Sequence, residues 1–565
     1  MTVVRTRKSI CKLTDAELDK LIHAFHEIQK NKPGEPGHPN LKSFQVIAGL
    51  HGQPFRGAGY GNSAWWGGYC HHGNVLFPTW HRAYLLHLER ALQSVSGCED
   101  VALPYWDEME GDNSTQRIPP IFLQQKYTFH NTLENCGTTT IDNPLYSYTL
   151  QQGFFDKLAR YIEAPKKEKK GDQSDQSKQG KLQDYGKYAG YKTVRCPYSG
   201  LVGKDDLKDT IEHNWLIDSM GMGYADKILN RNITRWQDAA VRSDSYGKHH
   251  VEGARQEYLR CLEAPNYTVF SNTTSAGKWN DDKISQVGRP DYDKHHVTGE
   301  YVVSLERPHN SMHLAVGGYD FPNLREPCPE FQGANGDMGE NDSAAFDPIF
   351  FFHHCFVDLV FWSWQEQHGR QIKVIQDYPG TSSVDDQGPT PKMAADSALD
   401  ENTPLYPFRE NPIEENGRFL TSVDVAHTED LGYKYDKRVS KKDGNGEPKS
   451  VSFVRVSGID RSLVKGSFAI SVWEDENLVG YEPVFSRWHV GGCSNCQNSL
   501  HVTSFMPILP KSTPEGDEAK LFHGSFAVKI QLSEEGTIKK KTKDIGDVDI
   551  WKRPRLDIGK LRMIF

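Results

Sequence analysis

Cysteine is scarce in this chain, with ten in 565 residues. That density excludes a small scaffold stapled by disulfides, and most of the thiols are expected to be free in a reducing compartment. Long apolar runs are missing too. No stretch approaches the roughly 18 residues of a membrane span. The opening MTVVRTRKSICKLTDAELDKL has no apolar segment of about 7–15 residues of the kind that marks a secretory signal. The expectation is therefore a cytoplasmic protein with no membrane partner. The sequons headed by Asn113, Asn232, Asn266, Asn272 and Asn341 are accordingly read as unmodified. Positive charge is not in excess either. Sixty-six Lys and Arg against 75 Asp and Glu leave a net charge of −9. This argues against nucleic acid as a partner, because phosphate affinity comes from clustered cations. No internal repeat of roughly 20–50 residues is found, which excludes solenoids and propellers.

What is present is ordinary globular material, 37% hydrophobic and 25% charged, long enough to bury a large core in two domains. Thr14-x-x-Glu17 is a capping box, and Leu18, Leu21, Ile22, Phe25 and Ile28 follow at helical spacing. A second helix is expected from near Trp80, carrying Leu85, Leu88 and Leu92. IEHNWLIDSMG, GARQEYLRCLE, RPHNSMHLAV and IFFFHHCFVDLVFWSWQEQ also read as helical. Residues Pro165 to Lys181 are charged and aperiodic, as in a solvated loop. Beyond about Asp436 the texture changes. SVSFVRVSG, GSFAISVWED, SLHVTSFMPI and SFAVKIQLS alternate β-branched and aromatic residues between turn formers. A mainly α domain over 1–436 is expected, followed by an all-β, sandwich-like domain over 437–565.

Histidines stand out in two groups. His51 follows FQVIAGL, His72 lies just after Cys70 in YCHHGN, and His81 opens HRAYLLHLERAL. His309 and His313 are four apart in HNSMH, which places both on one helix face. His354 comes from a separate helix. The pair is not the H-E-x-x-H of zinc proteases, since Asn310 stands where the general-base Glu is needed. Imidazole trios without carboxylates favour copper or zinc over magnesium or calcium. The doublets His249-His250 and His295-His296 are given no role. Downstream, Cys493-Ser-Asn-Cys496 is a lone C-x-x-C. It is too few ligands for structural zinc, though soft thiolates suit Cu(I).

The segment from His72 to Glu89 reads H-x4-F-P-T-W-H-R-x2-L-x3-E, which resembles the first-copper signature of tyrosinases and molluscan haemocyanins. DPIFFFHHCFVD, from Asp347 to Asp358, is similar to their second-copper signature. Tyr433-Lys-Tyr435 looks like the tyrosine motif that closes their helical domain. The resemblance implies a four-helix bundle holding two copper ions, with His51, His72 and His81 on one and His309, His313 and His354 on the other. It implies a thioether between Cys70 and His72, and Glu300 and Asn310 holding the water that deprotonates a phenol. It gives Cys493 and Cys496 a part in copper loading. It also implies a C-terminal domain that covers the site with a substrate-mimicking aromatic, Phe485 or, behind it, Tyr481, until a protease cuts between Asp436 and Lys449. The expected function is a latent tyrosinase acting on small phenols with dioxygen. A catechol oxidase or o-aminophenol oxidase is the alternative, an oxygen carrier a more distant one, and a homo-oligomer is left open.

Overall fold

The computed structural model describes residues 4–35, 38–52, 68–110, 117–130, 139–155, 186–200, 207–239, 249–286, 301–322, 334–383, 390, 392–411, 413–414, 416–440, 452–461, 464, 466–474, 477–487, 490, 496, 499–510, 526–532, 543–544 and 555–556. Helix α1, Asp15–Lys30, starts where Thr14 and Glu17 exchange both bonds of the capping box. It buries Leu21, Ile22, Phe25 and Ile28 against the bundle. The bundle comprises α2 (Phe44–His51), α3 (Phe77–Gln93), α4 (Glu306–Gly317) and α5 (Ile349–His368). In α5 every residue from Ile349 to Gln365 except Trp362 is buried, as suits a central helix that is apolar all round. Helix α3 begins at Phe77, earlier than the sequence pattern indicates, because Pro78 sits in its first turn, where a missing N–H costs nothing. Among the described residues no helix is long and apolar enough to cross a membrane.

A buried charge cluster locks the bundle. Strand β1, Arg5–Arg7, pairs in parallel with β2, Tyr433–Tyr435, bringing the two ends of the helical domain together. Asp358 on α5 accepts from Arg82 Nε at 2.6 Å, Tyr433 Oη at 2.7 Å and Tyr435 Oη at 2.6 Å. Arg7 is bidentate to Glu89. Burial pushes the Asp358 carboxyl up, but Arg82 and Arg7 outweigh it and hold it below the usual carboxylate range. The Arg, Glu and Asp of the two signatures are thus structural.

The C-terminal strands β3 (Ser452–Asp460), β4 (Phe468–Glu474), β5 (Asn477–Val484), β6 (His501–Pro510) and β7 (Phe526–Leu532) form two antiparallel sheets. One runs Arg555–Leu556, β3, β6, His249–His250; the other runs β5, β4, β7, Lys543–Asp544. The doublet His249-His250, given no role from sequence, is a strand lent by the helical domain, paired with Leu509 and Pro510. Strand periodicity splits β4 between two cores. Phe468, Ile470 and Val472 face the sandwich interior, while Ala469 and Trp473, with Leu478, Tyr481 and Phe485, join the helical domain's core.

Several sequence expectations fall outside the described residues, Pro165 to Lys181 and Asn113 among them. Of the other sequons, Asn232 is buried and donates to Ala315 O and Tyr319 O, Asn272 and Asn341 are buried, and Asn266 caps a helix. Cys11, Cys98, Cys261 and Cys355 are reduced. Cys496 departs from the free-thiol expectation: it is disulfide-bonded.

Candidate metal centre

The six singled-out histidines converge at the centre of the bundle. His51 ends α2, His81 lies in the second turn of α3, His309 and His313 stand one turn apart on α4, and His354 is on α5. His72 precedes Gly73, whose φ of +67° turns the chain sharply toward α3. Ring centres in the first trio are 5.3–5.6 Å apart, and in the second 4.5–5.6 Å. The trios face each other, with His81 stacked on His354 at 4.4 Å and His72 opposite His309 at 5.6 Å.

In four of the six rings the second nitrogen is committed elsewhere, while Nδ1 of His354 is buried without a hydrogen-bond partner. Nδ1 donates to the carbonyl oxygen of Asn341 in His51 (3.2 Å), of Phe77 in His81 (2.8 Å) and of Met338 in His313 (2.8 Å), and to Asn310 Oδ1 in His309 (3.0 Å). A neutral ring that donates through Nδ1 carries a bare lone pair on Nε2. Burial pushes all six imidazoles well below their ordinary pKa, so they are neutral. Nε2 of His51, His72 and His81 is buried without a partner. Nε2 of His313 lies 3.1 Å from Nε2 of His309, two lone pairs aimed at one another. Such an arrangement is unfavourable unless a cation sits between them, so the residues fit a metal at each trio. All-nitrogen ligation suits copper or zinc. At His72, Nδ1 is 3.2 Å from the Asn341 amide nitrogen. Half a turn of that amide puts Oδ1 on His72 Nδ1–H and frees Nε2 for a metal.

The β domain reaches this centre. The Phe485 ring is 6% exposed and stacks on His313 at 4.0 Å with 22° between planes, 5.6 Å from His72. Tyr481 instead lies behind, against Phe321 and Trp236. A cavity of about 330 Å³ between the domains is lined by Cys70, His72, Asn310, Phe485, Arg487 and Cys496, among others.

A family model, the common central domain of tyrosinase, matches residues 41–367. The chain belongs to the tyrosinase family. A tyrosinase of Aspergillus oryzae is 42% identical over 550 residues, 94% of this chain and 93% of that one. One from a Hahella species is 38% identical over 536 residues, 89% and 87% of the two chains. The solved tyrosinase of Burkholderia thailandensis superimposes with a TM-score of 0.70 at 34% identity, covering 94% of this chain and 96% of that one. As a member of the family the chain is a copper-binding oxidoreductase of the polyphenol oxidase kind.

Within that family frame the remaining sequence candidates divide. Asn310 lines the cavity, but its carbonyl oxygen is engaged by His309. Glu300 and Cys493 lie outside the described residues. Cys70 Sγ is 3.5 Å from Asn341 Oδ1.

Three features went unread in the sequence. Residues 337–343 hold three of the six rings, through Met338 O and both ends of Asn341; backbone carbonyls leave no trace in side-chain identity. Glu306 lines the cavity three residues before His309, accepting from Gly73 N and Thr273 N at 2.9 Å each, and so fixes the turn after His72. His353 brings a fourth imidazole within 4.8 Å of the second trio, with Nδ1 2.5 Å from the buried Glu108. The signature's spacing selects only His354; the doublet itself was the available signal.

Proposed function

We propose that this chain is a latent tyrosinase that hydroxylates monophenols at the ortho position and oxidises o-diphenols to o-quinones. The carrying observation is the pair of facing, neutral histidine trios with the Phe485 ring stacked on His313. In this reading His51, His72 and His81 hold one copper ion and His309, His313 and His354 the other. Bound copper supplies the redox chemistry with dioxygen. The protein's part is to orient the rings, through Nδ1 partners at His51, His81, His309 and His313 and the Asn341 amide at His72, to keep them neutral by burial, and to exclude water.

A phenol ring entering from the cavity would take the position of Phe485, whose stacking on His313 marks an aromatic subsite. A monophenol has a pKa near 10 and needs a base at neutral pH. Glu300 with Asn310 is the pair the resemblance names. Glu306 is the carboxylate the cavity presents beside Asn310, raised by burial from its ordinary value. The present engagement of Asn310 with His309, and of Glu306 with Gly73 and Thr273, favours catechol oxidation as the second reading, because each group has less capacity left to hold a water. Asn310→Ala would remove the His309 partner as well as a water ligand. Its expected effect is loss of both activities, with monophenol hydroxylation falling about tenfold further.

The C-terminal domain would act as a lid removed by proteolysis. Lys437 pairs with Asp107, Arg438 with Glu366, and Val439 N with Ser363 Oγ. A productive cut should therefore fall beyond Val439. Oxygen uptake on a monophenol and on a catechol, before and after limited trypsin treatment, tests the reading. Uptake on both only after trimming supports it. Uptake on catechol alone favours the second reading, and equal activity before and after trimming refutes the lid.

A further inference from the structure

Beyond the placeholder ring, the β domain sends a second side chain into the metal centre. Arg487, two residues after Phe485, is 4% exposed. Its Nη1 donates to Asp342 Oδ1 at 2.6 Å, and its Nη2 donates to Cys70 Sγ at 3.3 Å. The same sulfur lies 3.5 Å from the outer end of the Asn341 amide, whose other end meets His72 Nδ1 at 3.2 Å. The backbone ties the set together, since Asn341 N donates to Ser486 O at 3.2 Å. Cys70, His72, Asn341 and Arg487 thus form one closed cluster across the domain interface. A buried guanidinium left without its partners is costly; here one arm is neutralised by Asp342 while the other is spent on a sulfur.

We propose that Arg487 is a positioning residue for the Cys70–His72 cross-link, so that the domain covering the site also helps to build it. This rests on reading Cys70 and His72 as a thioether pair. The reaction replaces the Cys70 S–H bond and one ring C–H bond of His72 with a single S–C bond. Two electrons and two protons leave and reduce one dioxygen, the family's co-substrate, to hydrogen peroxide, with bound copper carrying the electrons. Of the staggered orientations open to a cysteine side chain, Arg487 and Asn341 hold the one that keeps the sulfur beside the amide that also meets the His72 ring.

The full-length chain, prepared without copper and then loaded in air, would be digested at timed intervals. The peptide containing Cys70 and His72 would be weighed for the loss of two hydrogens, with copper per chain measured alongside. Wild type is expected to cross-link to completion. Arg487→Met, which keeps the length and removes the donors, is expected to cross-link on the order of tenfold more slowly or worse, the scale of a small misplacement of reacting groups. Arg487→Lys, which retains the charge beside Asp342, is expected to lie between. Wild type without the mass loss would refute the thioether reading. Wild-type rates in either copper-loaded variant would overturn the role of Arg487 alone. If Arg487→Met fails to fold, the comparison with Arg487→Lys decides.

Discussion

Replacing Phe485 with alanine should unlock the covered site without any cut. The ring is 6% exposed, stacked on His313 at 4.0 Å and edge-on to His72 at 5.6 Å. Burying such a side chain contributes about 1.5–3 kcal/mol by transfer alone. The void left by Phe→Ala raises the total loss to about 3–5 kcal/mol. At about 1.4 kcal/mol per factor of ten, closure over the metal centre should weaken by roughly two to three and a half powers of ten. The domain itself should stay attached, because Arg307 on α4 still donates to Tyr481 O at 2.7 Å and Phe505 O at 3.1 Å, and the pairing of His249-His250 with Leu509 and Pro510 is untouched. The assay is oxygen uptake on a catechol by the full-length variant, divided by uptake of the same variant after trimming, so that copper loading cancels. The ratio should rise about a hundredfold over wild type or reach the trimmed ceiling. An unchanged ratio at equal copper content would show that the ring neither plugs the site nor holds the domain down.

Further outcomes follow from the same contacts. Glu257 pairs with Arg307 at 3.0 Å, and Arg307 with Glu482 of the β domain at 3.4 Å. Burial raises the Glu257 carboxyl from 4.5 to about 7, against Arg307 and with help from Glu482. The protonated form then contributes folded-state stability that is complete below about 4.5 and lost as pH rises through about 7, and Arg307 and Glu482 place that loss at the interface with the β domain. The ratio of full-length to trimmed activity should therefore be higher at pH 8 than at pH 5.5, and Glu482→Gln should flatten that dependence; a pH-independent ratio in wild type would exclude it. Asn341→Ala removes a group that serves His72, and should weaken copper at the first trio by about 10–100-fold relative to the second; chelator competition that releases both ions together would count against this. Asp358→Asn leaves Arg82 and Arg7 without their shared carboxylate and should cost about 3–5 kcal/mol, read as a lowered thermal midpoint; a midpoint within a degree of wild type would mean Glu89 suffices.

Much of this protein could be read along the chain. The capping box at Thr14, the i, i+4 spacing of His309 and His313, and the alternation in β4 are local patterns, and local patterns survive in one dimension. The doublets could not be settled that way. His249-His250 looked incidental because its partners, Leu509 and Pro510, stand some 260 residues away in sequence. His353 is set beside the second trio by Glu108, 245 positions earlier. Asn310 carries more than its motif implied, since the amide oxygen that would hold a water already accepts from His309.

Residue types and their spacing alone singled out two sets of three imidazoles as candidate metal ligands, and a β domain following a helical one. Ligand identity is carried by side chains, and spacing along a helix is spacing in space. Which nitrogen faces inward is set locally at His81 and His309, by Phe77 O and Asn310, but at His51, His72 and His313 it was decided only when residues 337–343 packed against them, because there the choice belongs to two backbone carbonyls and an amide brought in from elsewhere in the chain. The same holds for Phe485 and Arg487: their arrival at the centre is a property of how two domains dock, set by surfaces assembled from distant segments.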